Sequence, residues 1–279
     1  MVLGQEIGVV TLVEGPLKVI RGTSVFMVAE GAPLRPGDIV ECADRGLAQL
    51  EFDDGTIVAL QGDSRLLLFG YPSGRRSRSR APELILLRGW LKAETKISDG
   101  GSAYRYHTPL LTAATRDGTL VIRTTPQSAD AFLESGSGTV GENDDRRRSP
   151  RVLDGKPGQF FSQTAGKQIV SLPRPSASFV AAVPIPFQDT LPPRRQALRG
   201  KSIEMKPDHE VTYAEVADWL KIDRRWRGGL IQQFAPRLRD ATFRQTLVAN
   251  LREHPEWDPI LNPEKYKPKS DQSVDPGRP

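Results

Sequence analysis

The residues of this chain that could support catalysis or metal binding are three histidines, one cysteine and two pairs of adjacent acids. No two histidines have the short spacing that places them on one metal ion. A single cysteine excludes an intrachain disulfide and a cysteine metal cluster. We interpret Cys42 as a small apolar filler beside Val40. The histidines, interpreted as ordinary polar residues, are His107, His209 and His254.

One glycine-rich run has the form of a nucleotide-binding motif. Residues 136–141 match the string GxGxxG, but that string binds phosphate only where it opens a helix after a strand. Acids follow it here, so we predict a flexible loop. The pairs Asp53-Asp54 and Asp144-Asp145 are typical of turns, and no GxSxG elbow is present. We therefore predict that the chain is not an enzyme and has no catalytic residue, metal site or cofactor.

The elements that position these residues are short strands with a period of two. Ala48, Leu50 and Phe52 lie on one face of an extended segment, while Gln49 and Glu51 lie on the other. This alternation predicts a half-buried strand, with its polar face toward solvent.

Turn signals separate the strands. Asp54-Gly55 predicts a tight hairpin, and the β-branched residues after it predict a returning strand. Pro36-Gly37 predicts a chain reversal, with Asp38 bonding the backbone beside it. A second turn is expected at Asp117-Gly118, whose sequence context repeats that of Asp54-Gly55. This repetition favours stacked strands in a solenoid-like or sandwich arrangement over a closed barrel.

In these turn glycines and core aliphatics the chain resembles the FecR-like domain of bacterial envelope proteins. The resemblance continues more weakly through residues 84–92, 108–109, 117–122 and 158–160, and covers roughly the first three fifths of the chain. It implies a mainly β fold of stacked antiparallel strands. The matching positions are Gly8, Val10, Gly15, Val19, Arg21, Gly31, Leu34, Gly37, Asp38, Ala48, Leu50, Phe52, Asp54, Gly55, Val58, Leu60 and Ser64.

Members of this family with a known role sit in the inner membrane and relay a receptor signal to a sigma factor. They use an N-terminal cytoplasmic segment and one membrane span, which this sequence lacks before its β pattern. We therefore expect an exported, periplasmic structural or protein-interaction module that is part of a larger envelope assembly, with a second copy of the chain as one candidate partner. The alternatives are a receptor-linked signalling relay of the anti-sigma type and, for the compartment, the cytoplasm, because no leader is visible.

Composition agrees with a turn-rich β protein. The 279 residues include 23 prolines and 25 glycines, and 38% are hydrophobic, which suits open linkers more than a helical bundle. No window approaches the run of about 18 apolar residues that a membrane helix needs. We expect a FecR-like β domain over 1–172, a Pro-rich extended linker over 173–208, a helical domain over 209–258 and a disordered tail over 259–279.

The linker has more apolar residues than a free spacer requires. Proline at this density favours an extended, polyproline-like path. Two interpretations remain open: a passive spacer, or a segment whose apolar residues lie along a groove of this protein or of a neighbour. Its candidate partner-binding residues are Phe179, Ile185 and Phe187.

The C-terminal part changes to a helical period. Thr212-Tyr213-Ala214-Glu215 is a capping box, and three short amphipathic helices are predicted after it. They span few residues for a core of their own, so large aromatic side chains are expected either to dock a partner or to form a self-contained mini-core. The candidate residues are Trp219, Trp226, Phe234 and Trp257.

Two arginine-rich runs give the chain part of its net charge of +5. They could bind polyanions such as lipid head groups or peptidoglycan, and a basic nucleic-acid or polyanion module is the second functional alternative. Nucleic acid is not the expected partner, because the charge is clustered in two loops and not laid along a groove with interleaved aromatics. The candidate residues are Arg75, Arg76, Arg78, Arg80, Arg146, Arg147 and Arg148.

Overall fold

The computed structural model describes residues 5–71, 81–96, 102–143, 150–200 and 203–266. The chain divides into two compact units, the first ending at Val211 and the second beginning at Thr212. The first unit is built from strands and the second from helices. The prediction of a mainly β protein with a small C-terminal helical region is therefore confirmed.

Sixteen strands in the described part of the first unit join in one mixed sheet that does not close. The pairings are antiparallel except for the parallel pair β8 and β9. The strands are β1 (Gly8–Glu14), β2 (Leu17–Arg21), β3 (Ser24–Met27), β4 (Pro33–Leu34), β5 (Ile39–Cys42), β6 (Leu47–Phe52), β7 (Ile57–Gly70), β8 (Glu83–Lys96), β9 (Tyr104–His107), β10 (Leu111–Thr124), β11 (Ser128–Leu133), β12 (Ser137–Glu142), β13 (Val152–Gly155), β14 (Phe160–Thr164), β15 (Val170–Leu172) and β16 (His209–Glu210).

The main core lies on one face of this sheet. Alternate residues of the long strands β7, β8 and β10 point into it, among them Leu60, Leu91 and Ile122. Their aliphatic side chains are removed from water almost completely, and this burial is the main favourable contribution to folding. The core is the part of the fold that the period-two pattern predicts directly.

The hairpin predicted at Asp54-Gly55 is confirmed. Strands β6 and β7 pair on either side of it, Gly55 has a φ of +88°, and the backbone N–H of Thr56 donates to Asp54 Oδ1 at 3.0 Å. The other carboxylate oxygen of Asp54 accepts from the hydroxyls of Tyr71 at 2.9 Å and Tyr104 at 2.5 Å. The turn is thereby tied to the aromatic end of the main core.

Two glycine-containing segments differ from the prediction. Asp117-Gly118, where a turn is expected, lies inside the continuous strand β10, just after a register shift between Thr115 and Asp117, and most of the loop expected at 136–141 is strand β12. A Cβ atom on Gly118 would lie 2.2 Å from the backbone oxygen of Ser135, and one on Gly136 would lie 1.8 Å from that of Asp117. These glycines allow two backbones to approach each other, which sequence alone does not separate from a turn.

The Pro-rich segment does not run as an extended linker. It contains helix α1 (Ala177–Ala182) and 3-10 helices at Ile185–Phe187 and Arg195–Leu198. The chain then returns to the sheet as β16, which pairs with β3. Residues 173–211 therefore belong to the β unit. We refer to residues 176–198 as the strap.

The helical unit begins with the predicted capping box, which is confirmed: the backbone N–H of Thr212 donates to Glu215 Oε2 at 2.9 Å. Order continues beyond 258, where a disordered tail was expected, and residues 267–279 lie outside the described ranges. Among the described residues, no helix is long and apolar enough to cross a bilayer. The helices are α2 (Tyr213–Leu220), α3 (Arg224–Phe234), α4 (Ala241–Ala249) and α5 (Asp258–Leu261), with 3-10 helices at Ala235–Arg239, Leu251–Glu253, Pro255–Trp257 and Pro263–Tyr266.

Candidate binding surfaces

The strap covers the face of the sheet opposite the main core. Phe179 and Phe187 are buried there in a second apolar cluster with Val121 and Phe160. The ring centroids of Phe179 and Phe160 are 4.9 Å apart, and those of Phe179 and Trp90 are 5.3 Å apart. The sheet is therefore apolar on both faces at its centre, and the strap supplies the second layer.

A buried lysine fixes the middle of the strap. Lys92 on β8 is only 1% exposed, yet its ammonium has three acceptors: Glu134 Oε2 at 2.8 Å and the backbone oxygens of Phe187 at 2.8 Å and Asp189 at 3.0 Å. An ammonium has three donors, so every one is used. Burial of this charge is tolerable only while the strap is in place, because two of the three acceptors are strap carbonyls.

Strand β6 anchors the far end of the strap. The Glu51 carboxylate accepts from the backbone N–H groups of Arg194 at 2.6 Å and Arg195 at 3.1 Å. The side-chain amide of Gln49 donates to the backbone oxygen of Pro192 at 2.8 Å. All six residues of β6 are consequently buried, so the half-buried strand predicted from its alternation is covered on both faces.

The outward side of the strap is apolar and exposed. Val180 is 54% exposed and Ile185 is 78% exposed, although Phe187, two residues further on, is fully buried. Residues 176–188 contain no charged side chain, in a chain of which 26% of the residues are charged. The strap thus presents an uncharged surface that its own anchors hold in one position.

The buried titratable groups of the β unit have structural partners. Burial raises the pKa of Asp38, while the Arg21 guanidinium and the backbone N–H of Arg35 act in the opposite direction. Burial also raises the pKa values of Tyr71 and Tyr104, so both phenols remain protonated donors. These groups hold turns and core ends together.

The candidate residues named from the sequence lie mostly inside the fold. Of the seven partner-binding candidates, Ile185 is exposed, while the other six side chains are buried within their own units. The seven arginine candidates for polyanion binding lie outside the described residues. In neither case does the structure test binding itself. The buried six are Phe179, Phe187, Trp219, Trp226, Phe234 and Trp257.

The histidines lie in separate places. His107 Nδ1 is 2.8 Å from the Thr112 hydroxyl, and His254 Nε2 is 2.7 Å from the Tyr213 hydroxyl. His209 lies on β16 at the edge of the sheet. Within the ranges that the structure describes, no group of three His, Cys, Asp or Glu residues is placed to hold a metal ion.

Sequence reasoning missed the polar residues that anchor the strap. Lys92 and Glu94 alternate along β8 with the apolar Leu91 and Ala93, which is the pattern of a solvent-facing side. The Glu94 carboxylate instead accepts from the backbone N–H of Leu191. The sequence offered one signal for these anchors, namely the apolar content of the Pro-rich segment. Apolar residues at that density indicate that the segment packs against another surface of the protein.

The geometry therefore defines a mainly β protein whose sheet is covered on its second face by its own strap. No family model and no curated protein matches the chain. It is similar to two crystal structures described as a "putative anti-sigma factor" from Parabacteroides distasonis, at 13% and 12% identity and a TM-score of 0.42 in each case. The similarity covers 51% of this chain and 62% and 63% of those chains.

The matched region spans less than two thirds of either neighbour. Neither similarity assigns a function to this chain. The FecR-like resemblance stays a prediction from the sequence.

Proposed function

We propose that this chain is a non-catalytic protein-interaction module of the bacterial envelope, and that the outward side of the strap is its docking surface. One observation supports the proposal above all others: Ile185 is 78% exposed on a segment whose neighbouring Phe187 is fully buried. Together with Val180, which is 54% exposed, it gives this surface apolar area that a partner could bury.

The anchoring of the strap supports the same proposal. Lys92, Glu94 and Glu51 each bond backbone groups of the strap, so the apolar side chains on its outer side need little further ordering when a partner binds. Preorganisation of this kind lowers the entropic cost of association. Because residues 176–188 are uncharged, the complementary partner is a protein with an apolar, uncharged pocket.

The periplasm is the proposed compartment, and this part of the proposal rests on the FecR-like pattern alone. Fractionation of cells that carry the native reading frame tests it. Recovery of the chain with periplasmic markers is expected, and recovery with cytoplasmic markers would contradict it. The signalling relay and the polyanion-binding module remain alternatives from the sequence.

Photo-crosslinking in cells tests the docking surface. A photoreactive amino acid replaces Ile185 in one variant and Val152, which is 60% exposed on β13 of the same unit, in the control. We expect position 185 to give one adduct, identified by mass spectrometry as a single protein, that disappears when Val180→Asp is added. Position 152 should not give it.

Three results would overturn the docking proposal: identical adducts at positions 185 and 152, no adduct at 185, or an adduct that persists with Val180→Asp. An adduct containing only a second copy of this chain would replace the proposed partner with self-association.

A further inference from the structure

Helix α4 has a buried side and an exposed side that are both partly apolar. Phe243 and Leu247 are buried in the helical unit. On the opposite side, a groove of about 560 Å³ runs beside Leu238, Ala241 and Val248, and Val248 is 49% exposed. Leu238, in the 3-10 helix before α4, and Ala241 and Val248 on α4 therefore form an apolar row that the described chain does not cover, interrupted on α4 by Gln245.

Two arginines flank this groove without an acidic partner. Arg239 and Arg244 line it, both are exposed, and neither forms an ion pair with any residue that the structure describes. By comparison, Arg227 of the same unit contacts Glu256 at 2.7 Å and Arg237 contacts Asp240 at 3.7 Å. Arg239 and Arg244 therefore place two uncompensated positive charges beside the groove.

We propose that this groove binds an acidic amphipathic helix of a partner protein. The apolar row of α4 accepts the apolar side of that helix, as in helix-in-groove recognition, and Arg239 and Arg244 pair with Asp or Glu residues beside it. Arginine suits this role because its planar guanidinium binds a carboxylate through two parallel hydrogen bonds. The proposal is independent of the strap, which lies in the other unit.

Selection from a phage-displayed random peptide library, with the full-length chain as bait, tests the proposal. Enriched sequences should carry apolar residues at a spacing of three or four, with Asp or Glu beside them. Their synthetic peptides should bind in a fluorescence anisotropy titration, and binding should weaken with rising salt.

Three variants locate the site. Arg239→Glu/Arg244→Glu should weaken peptide binding about 10-fold or more, because like charges then face each other. Val248→Asp should weaken it similarly. Arg174→Glu/Arg199→Glu makes the same change in net charge on exposed arginines of the β unit and should leave binding unchanged.

The proposal would be overturned if the library enriches no sequence, or if the enriched sequences are basic. Equal loss of binding in both double variants would also overturn it, because the effect would then be one of net charge. Circular dichroism of each variant confirms that the helices are retained. Ile185 is unchanged in all of these variants, so they test the groove proposal without testing the docking proposal for the strap.

Discussion

The ammonium of Lys92 donates to the backbone carbonyl oxygen of Phe187 at 2.8 Å, although the two residues are 95 positions apart in the chain. The same ammonium bonds Glu134 and the carbonyl of Asp189. A buried charge with all its donors satisfied by a distant segment couples the sheet to the strap.

Lys92→Met should lower the free energy of unfolding of the β unit by about 3 kcal/mol, because Glu134 and two strap carbonyls lose their donor inside the protein. Urea unfolding measures this change, and limited proteolysis should show faster cleavage within 176–198. Lys156→Met, at an exposed lysine, is the control. Equal stability of the two variants would contradict the anchoring role of Lys92.

Phe187→Ala should cost about 3 to 5 kcal/mol of stability, because it leaves a cavity between strap and sheet. Ile185→Ala, two residues earlier on the exposed side, should change stability by less than about 0.5 kcal/mol. Chemical denaturation of both variants makes the comparison. A similar cost at the two positions would show that the strap does not pack as described.

Gly118→Ala should destabilise the β unit by about 3 kcal/mol, since the new Cβ would lie 2.2 Å from the Ser135 oxygen and one backbone must move. Gly166 also has a positive φ, of +75°, but open space around it. Gly166→Ala should therefore cost only about 1 kcal/mol, from backbone strain alone. Thermal unfolding of the two variants tests whether position 118 requires glycine because another backbone lies so close, and not only because of its positive φ.

The helical unit should lose stability as the pH falls below about 6.5. Burial lowers the pKa of His254 below its ordinary value, so between the two values the unfolded chain binds more protons than the folded one, and stability rises with pH. Glu253, whose pKa the neighbouring Lys221 lowers, titrates below this window. Thermal unfolding at a series of pH values from about 5 to 8, monitored by tryptophan fluorescence, measures the effect.

Three of the four tryptophans lie in the helical unit, and Trp90→Phe removes the fourth. In that background His254→Phe should flatten the pH dependence above pH 5. An unchanged slope of stability against pH would assign the pH dependence to other titratable groups.

Cys42 should not react with a thiol reagent near pH 8 while the β unit is folded. The side chain is buried, and burial, with a smaller effect of Asp63, raises the pKa of its thiol to about 12. Unfolding in urea should release a reactive thiol, counted by absorbance with Ellman's reagent. Rapid labelling of the native protein would contradict the role of Cys42 as an apolar filler.

The local pattern was enough to predict several elements. Hairpin β6–β7 follows from alternation and from Asp54-Gly55, and the start of α2 follows from the capping box at Thr212. Each depends on residues within a few positions of one another, which is the range over which backbone preference and side-chain capping act.

Other features depended on distant parts of the chain. The glycine run at 136–141 has the composition of a loop, but it is mostly strand because it pairs with β10, whose backbone leaves no room for a Cβ on Gly136 or Gly138. The aromatic residues of the C-terminal part were consistent with docking or with a mini-core, and they are buried in their own unit. Composition cannot decide between such outcomes, since the same apolar residues suit both.

The sequence by itself determined which side chains of β6 share a face: Ala48, Leu50 and Phe52 on one, Gln49 and Glu51 on the other. Only the tertiary structure decided that the second face is also covered. The segment that covers it begins more than a hundred residues later, and Glu51 bonds a backbone N–H 143 positions away. A period-two pattern determines which face of the sheet each side chain points to. Whether a polar face can be buried depends on whether distant backbone groups form hydrogen bonds with its side chains.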